Sequence, residues 1–325
     1  MTTPTTTDTE TIVRTESLGR DFKVRDGLGR RTVVAVEDLS IEIAAGEAVG
    51  YIGANGAGKS TTIKMLTGIL VPTRGSVTTC GLRPVPERRR LARQVGVVFG
   101  QRTQLWWDLP VRESLRILAA IHSLSPAAER ARTEELVERL ELQEFLGTPV
   151  RQLSLGQRMR AEVAAALLHS PRLVILDEPT IGLDVLSKQR LREFLVSERR
   201  EHGTTLLLTT HDMGDVERLC DRVLLVDRGS LVFDGTLTGL SATVGAERVM
   251  VVDLAAPTPD LLDVADTVHR GSEGGGLRQR LGFDPGATTA SRVLAQVAEH
   301  AEVLDLAIEE PDVEDVVRRV YAARR

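Results

Sequence analysis

The stretch EAVGYIGANGAGKSTTIKMLTGIL, residues 47–70, constrains this chain more than any other. An apolar run that reads as a strand passes into a glycine-rich loop and then into a helix. That order turns the spacing GxxxxGK[ST] from a pattern match into a phosphate-binding loop. Gly53, Gly58, Lys59 and Ser60 are the matching residues, and Asn55, Gly56 and Ala57 lie among them. Glycine is needed because such a loop turns its N–H groups inward around a phosphate, where a Cβ would obstruct the backbone angles or the approach. Lys59 places a cation on the outer phosphates, Ser60 offers a hydroxyl to Mg²⁺, and Thr61 adds a second hydroxyl nearby. Nucleoside triphosphate binding on an α/β fold is the expectation.

The acidic half of such a site belongs at the end of a buried parallel strand, and RLVILDEPT supplies it. Leu173 to Leu176 are apolar enough for a strand buried on both faces, and Asp177 and Glu178 stand where it emerges. Asp177 would hold Mg²⁺ through water. Glu178, one residue on and turned to the other side, would orient or deprotonate the attacking water. An apolar run followed by Asp-Glu is common by itself, but behind a phosphate loop it completes a hydrolytic site. A second anion-binding element is LSLGQRMRAEVAAALL, residues 153–168, a polar loop opening directly into a helix. Ser154 and Gly156 sit at that helix N-terminus, where unpaired N–H groups and the helix dipole favour an anion.

In this order the elements resemble the nucleotide-binding subunit of ATP-binding cassette (ABC) transporters, over about residues 18–235. The family signature LSGGQ stands here as LSLGQ: Leu155 replaces a glycine, and Ser154, Gly156 and Gln157 are kept. The resemblance implies a P-loop NTPase fold, a RecA-like core carrying an antiparallel β subdomain and an α-helical subdomain at about residues 101–165. It assigns ATP and Mg²⁺ as the cofactors. By the same resemblance Phe22, in SLGRDFKV, stacks on adenine, the lesser alternative being an ordinary core aromatic. Gln101, ending VGVVFGQ, reaches towards Mg²⁺ and the attacking water. Asp184, in TIGLDVL, belongs to a loop that runs across a dimer interface, and His211, ending TTLLLTTH, contacts the γ-phosphate. The implied catalytic set is Glu178, His211, Gln101 and Lys59, with Ser60, Gln101 and Asp177 around the metal. The signature loop of such a subunit faces away from its own phosphate loop, so Ser154, Gly156 and Gln157 would serve ATP on a second copy of the chain. One phosphate loop, one signature and no internal repeat mean that two chains combine head to tail.

A length of 325 residues suits one large and one small domain. The Thr-rich residues 1–15 read as a disordered tail, 16–240 as the nucleotide-binding domain and 245–325 as an accessory domain. In that last stretch RVMVVDL, ADTVHR and LRQRLGF look like short strands, the last two joined by GSEGGG. ATTASRVLAQVAEH looks helical, and EVLDLAIEE alternates before a final helix, which together suggest a small α+β domain of ferredoxin-like type. FGQRTQLWWDLP resembles the ATPase subunits of ABC-2-type exporters, whose permeases are separate polypeptides. The ending AIEEPDVEDVVRRVY resembles the EPSLEDVF-like tail of exporter-type subunits. Trp106 and Trp107 suit a surface that receives the permease, or else pack the helical subdomain.

No apolar run approaches the roughly 18 residues of a membrane span, so the membrane is expected to be reached through permease subunits, from the cytoplasmic face. Cys80 and Cys220 lack metal-ligand spacing and read as reduced thiols. A net charge of −5 gives no support to nucleic acid as a ligand, and the arginines of VPERRRLARQ read as a solvated helix face. The expected function is the ATP-hydrolysing motor of an ABC-2-type exporter of a small molecule or drug. The alternatives are a soluble cassette ATPase of translation or DNA repair, for which paired cassettes or a coiled-coil insertion are wanting, and an importer motor.

Overall fold

The segments AVGYIG, LVILD, TLLLT and RVLLVD are too apolar to leave either face in water. The result is a nine-stranded sheet built from β1 (Thr11–Asp26), β2 (Gly29–Ala44), β3 (Ala48–Gly53), β4 (Arg74–Thr79), β5 (Val95–Phe99), β6 (Leu173–Asp177), β7 (Thr205–Thr209), β8 (Arg222–Asp227) and β9 (Ser230–Gly235). Their order is β4-β1-β2-β9-β8-β3-β7-β6-β5. A computed structural model describes residues 10–26, 29–100, 102–210, 212–243, 247–309 and 313–322, divided into two units at residues 234 and 235. Gln101 and His211 lie outside the described residues.

The strands β8, β3, β7, β6 and β5 pair in parallel, and β1 pairs antiparallel with β2 and β4. Alternation along β6 explains why it must be apolar throughout. Val174 and Leu176 join one core cluster, shared with Val98, Leu206 and Leu208, while Leu173 and Ile175 join another, shared with Tyr51, Leu207 and Leu224. The first cluster extends into the helices α3 (Val111–Ile121), α4 (Pro126–Arg139) and α5 (Leu155–Leu167) through Leu115, Leu136 and Met159. The second is closed by α1 (Lys59–Leu66) and the antiparallel strands, with Ile63, Leu66, Ile12 and Val13 fully interior. The one-turn α2 (Arg88–Leu91) carries exposed arginines and buries Leu91.

Residues 11–15 were expected in a tail and instead open β1. Val13 pairs with Ile43 on one side and Thr79 on the other, so both of its neighbours come from distant sequence. The end of the large unit also falls earlier than residue 240. Between β6 and β7 lies α6 (Val185–His202), and α7 (Met213–Leu219) precedes β8. After β9, α8 (Leu237–Thr243) belongs to the second unit, where it packs against α10 (Val313–Ala322) and buries Leu240.

The second unit is a four-stranded antiparallel sheet of β10 (Arg248–Leu254), β11 (Thr267–Glu273), β12 (Arg278–Phe283) and β13 (Val303–Glu309), in the order β11-β12-β10-β13. With α9 (Ala290–His300) crossing from β12 to β13, this is the strand order of a ferredoxin-like sheet. The first crossover, residues 255–266, carries no helix. Its Leu261 and Val264 fill the core instead, and Leu261 N–H donates to the buried Gln279 side chain at 2.8 Å.

Candidate functional site

β3 delivers the chain to the loop at residues 53–58, and two of its glycines are sterically obligatory. A Cβ on Gly53 would stand 2.5 Å from the Val226 carbonyl oxygen. Gly58 has φ 98°, and a Cβ there would stand 2.4 Å from the Ala35 carbonyl oxygen. Asn55 and Gly56 are exposed, Ala57 is buried, and Ser60 and Thr61 lie on the first turn of α1. No side chain caps that helix, so its first N–H groups are not consumed by a local acceptor and are aimed at whatever occupies the loop. Lys59 Nζ donates to the carbonyl oxygens of Gly53, at 2.5 Å, and Ala54, at 3.2 Å. Burial lowers the Lys59 pKa, and the carboxylates of Glu178 and Asp177 oppose that shift.

Those carboxylates stand at the end of β6. Asp177 pairs with Thr209 at the end of β7, and Thr209 Oγ1 donates to Asp177 Oδ1 at 2.5 Å. Glu178 has φ 55°, in the left-handed region that costs a non-glycine residue energy, and its N–H donates to the Thr209 carbonyl at 2.9 Å. Gly100, leaving β5, approaches so closely that a Cβ would lie 3.0 Å from the Asp177 carbonyl oxygen. The Ser60 hydroxyl and the Asp177 carboxylate are hard oxygen donors, a set that suits Mg²⁺.

Ser154 starts α5 with a complete capping box. Its Oγ accepts from Gln157 N–H at 3.2 Å, and Gln157 Oε1 accepts from Ser154 N–H at 2.9 Å. Asp184 caps α6 in turn, accepting from Ser187 N–H at 2.9 Å and Ser187 Oγ at 2.7 Å, which holds its carboxyl below the usual range. The two starts meet: Ser154, Gly156, Gln157, Asp184 and Ser187 line one cleft, and among the described residues none from the phosphate loop does. Leu155 is accommodated because Gly182 has φ 70° and no side chain; a Cβ there would lie 2.2 Å from Leu155 Cδ2. Phe22 is exposed on β1 with the Arg20 guanidinium 4.7 Å over its ring, so it is not a core aromatic. Trp106 and Trp107 are also exposed, at 37% and 49%.

Sequence reasoning missed Thr180, Thr209, Thr210, Arg192 and Asp215, which surround the ends of β6 and β7. The tandem threonines before residue 211 were a visible signal. Asp215, in contrast, looks like any surface acid of a short helix, yet it is fully buried.

The sequence profile described as ABC transporter matches residues 36–181. The ABC transporter ATP-binding protein NatA of Bacillus subtilis is 35% identical over 65% of this chain and 85% of its own length. The Nod factor export ATP-binding protein I of Paraburkholderia xenovorans is 38% identical over 76% and 80%. The linearmycin resistance ATP-binding protein LnrL of Bacillus subtilis is 29% identical over 90% and 94%, a match long enough to take in much of the second unit. Among solved structures, an ATP-binding subunit of an ABC transporter superposes with a TM-score of 0.65 at 29% identity, covering 72% of this chain and 94% of the other. A dimeric ATP-binding cassette in a post-hydrolysis state with ADP and Pi gives 0.63 at 26% identity, covering 69% and 98%.

Proposed function

The chain belongs to the ABC transporter family of ATP-binding subunits, and we propose that it is the ATP-hydrolysing motor of an ABC-2-type exporter. The observation that carries this reading is the approach of Lys59, in the loop and helix after β3, to Asp177 and Glu178 at the end of β6, which only β7 separates from β3 in the sheet, beside an uncapped helix. Lys59 and the N–H groups of Gly56 to Thr61 hold the β- and γ-phosphates, and Phe22 stacks on the adenine. Mg²⁺, bound by Ser60 and, through water, by Asp177, would offset negative charge between the β- and γ-phosphates. Glu178 orients the attacking water or takes its proton, with Gln101 and His211 completing the set as the family resemblance implies.

Ser154, Gly156, Gln157 and Asp184 serve the nucleotide of a second copy, since they form a cleft of their own. Binding then closes a dimer and hydrolysis opens it, a cycle that separate permease subunits convert into movement across the membrane. Export is supported by relatives whose names specify Nod factor export and linearmycin resistance. No helix among the described residues is long and apolar enough to cross a membrane, which suits a subunit working from the cytoplasmic face through a partner. The exposed Trp106 and Trp107 are the surface assigned to that partner.

Glu178→Gln tests the reading, because the amide keeps the side chain's shape and loses the base. ATP should stay bound, turnover should fall by about 100-fold or more, and size-exclusion chromatography should show an ATP-dependent dimer. Wild-type turnover in this variant would remove Glu178 from the mechanism.

A further inference from the structure

A buried ion pair holds together the segments that carry Glu178 and Thr210. Asp215, on α7, is fully buried, and its Oδ1 accepts from Arg192 Nε of α6 at 2.6 Å. Its Oδ2 accepts from two hydroxyls: that of Thr180, two residues after Glu178, and that of Thr210, one residue before His211, the latter at 3.3 Å. Thr210 Oγ1 also accepts from Asp212 N–H at 2.9 Å. Asp212 in turn pairs with Arg192 at 3.4 Å and with Lys188 at 2.5 Å. Both cations stand on α6, the helix that Asp184 starts.

We propose that Asp215 is a positioning residue for hydrolysis, one carboxylate that fixes the segments carrying Glu178 and Thr210 relative to each other and to α6. A buried carboxylate is costly unless a cation and hydrogen-bond donors compensate it, and Asp215 has all of them on three separate segments. Glu178 needs such support. Its left-handed backbone persists only where its neighbours over-determine it, and Glu178 N–H to the Thr209 carbonyl and Thr180 Oγ1 to Asp215 are among the bonds that do so. Thr180 and Thr210 are both almost wholly buried and direct their hydroxyls to the same oxygen, Thr210 Oγ1 accepting from Asp212 N–H as well. Motion of the segment after β7 is therefore transmitted to the segment carrying Glu178, and the reverse.

The inference rests on Glu178 acting in hydrolysis, so Glu178→Gln is measured alongside. In the full chain, Thr180→Val removes the hydroxyl and little else. It should lower kcat about 10- to 100-fold while the ATP dissociation constant stays within about 3-fold of wild type, because the phosphate loop is untouched. Thr180→Ser, which restores the donor, should recover most of kcat. Thr210→Val should reproduce the kcat loss from the other arm, so that the conclusion does not depend on one variant folding. A Thr180→Val protein with wild-type kcat, or one whose loss Ser does not repair, would overturn the positioning role. If Glu178→Gln is inactive in that same assay, the failure belongs to Asp215 and Thr180 alone. If Glu178→Gln is fully active, the hydrolytic assignment itself falls.

Discussion

Two helices of the first unit begin where an anion is expected, α1 after the phosphate loop and α5 after the signature, and they treat their first N–H groups differently. Gly58 starts α1 with no side-chain cap. Ser154 starts α5 inside a closed capping box, with Gln157 answering it. A bare helix start is unstable in water and gains most from a ligand; a capped one is stable alone and has less to gain. The difference fits two kinds of binding. In the proposed mechanism α1 holds nucleotide in a single chain, and α5 adds contacts once a second chain brings a phosphate to it. In the capping box the Ser154 hydroxyl acts as an acceptor, and the N–H groups of Leu155 and Gly156 take no part in the cap.

Lys59→Ala should show the largest effect. It removes the cation that the loop positions between the carbonyls of Gly53 and Ala54 and the carboxylates of β6. Charge-assisted contacts to the outer phosphates are worth about 3 kcal/mol together, so ATP affinity measured by calorimetry should fall roughly 100-fold. Retained wild-type affinity would mean that α1 does not carry nucleotide binding, and the contrast between the two helices would lose its first half.

Gly156→Asp should spare monomer binding and damage the second half. Space exists for it, since a Cβ there meets nothing nearer than Leu183 Cδ2 at 3.5 Å, so the fold should survive. Its carboxylate would face the partner's γ-phosphate and lie in the same cleft as Asp184. At a closed interface this repulsion should cost about 3 kcal/mol, or some 100-fold in turnover. Excess Gly156→Asp, Lys59→Ala double variant mixed with wild type should suppress turnover more steeply than dilution alone. Suppression in simple proportion to the wild-type fraction would mean that the chains act singly.

The contrast between these helices was only partly legible in the sequence. The phosphate loop and β6 could be read because their signals are local: glycine spacing, an apolar run, a carboxylate pair. Most elements of the second unit were legible for the same reason, although β11 continues to Glu273 and Gly274 to Gly276 make the turn, all at positive φ. Nonlocal causes defeated the rest. Ile12 and Val13 look like the end of a Thr-rich tail until β2 and β4 close over them. The leucine of LSLGQ looks like a flaw in the signature until Gly182, 27 positions on, is seen to leave it room. Asp215 declares itself only when Thr180, Arg192 and Thr210 converge on it.

The smallest predicted effect separates capping from ligand binding at α5, which a deletion cannot do because Gln157 is proposed for both. Glu is as good as Gln at the third position of a capping box, since either offers an oxygen to the N-cap N–H. Gln157→Glu should therefore keep the 2.9 Å bond from Ser154 N–H and leave thermal stability within about 1 kcal/mol of wild type, with any change favourable because an anion suits a helix N-terminus. Monomeric ATP affinity should not move. What changes is the free edge of the side chain, where two amide hydrogens become a negatively charged oxygen facing the incoming γ-phosphate. With solvent screening this should cost about 1 to 2 kcal/mol in ATP-dependent dimerisation, less than Gly156→Asp, whose charge is nearer. The penalty should shrink as salt is raised from 50 to about 500 mM, since the repelled charges lie at an interface rim. Should dimerisation and turnover match wild type at low salt, the Gln157 amide never meets a nucleotide, and α5 recognises its partner's phosphate through Ser154 and the backbone alone.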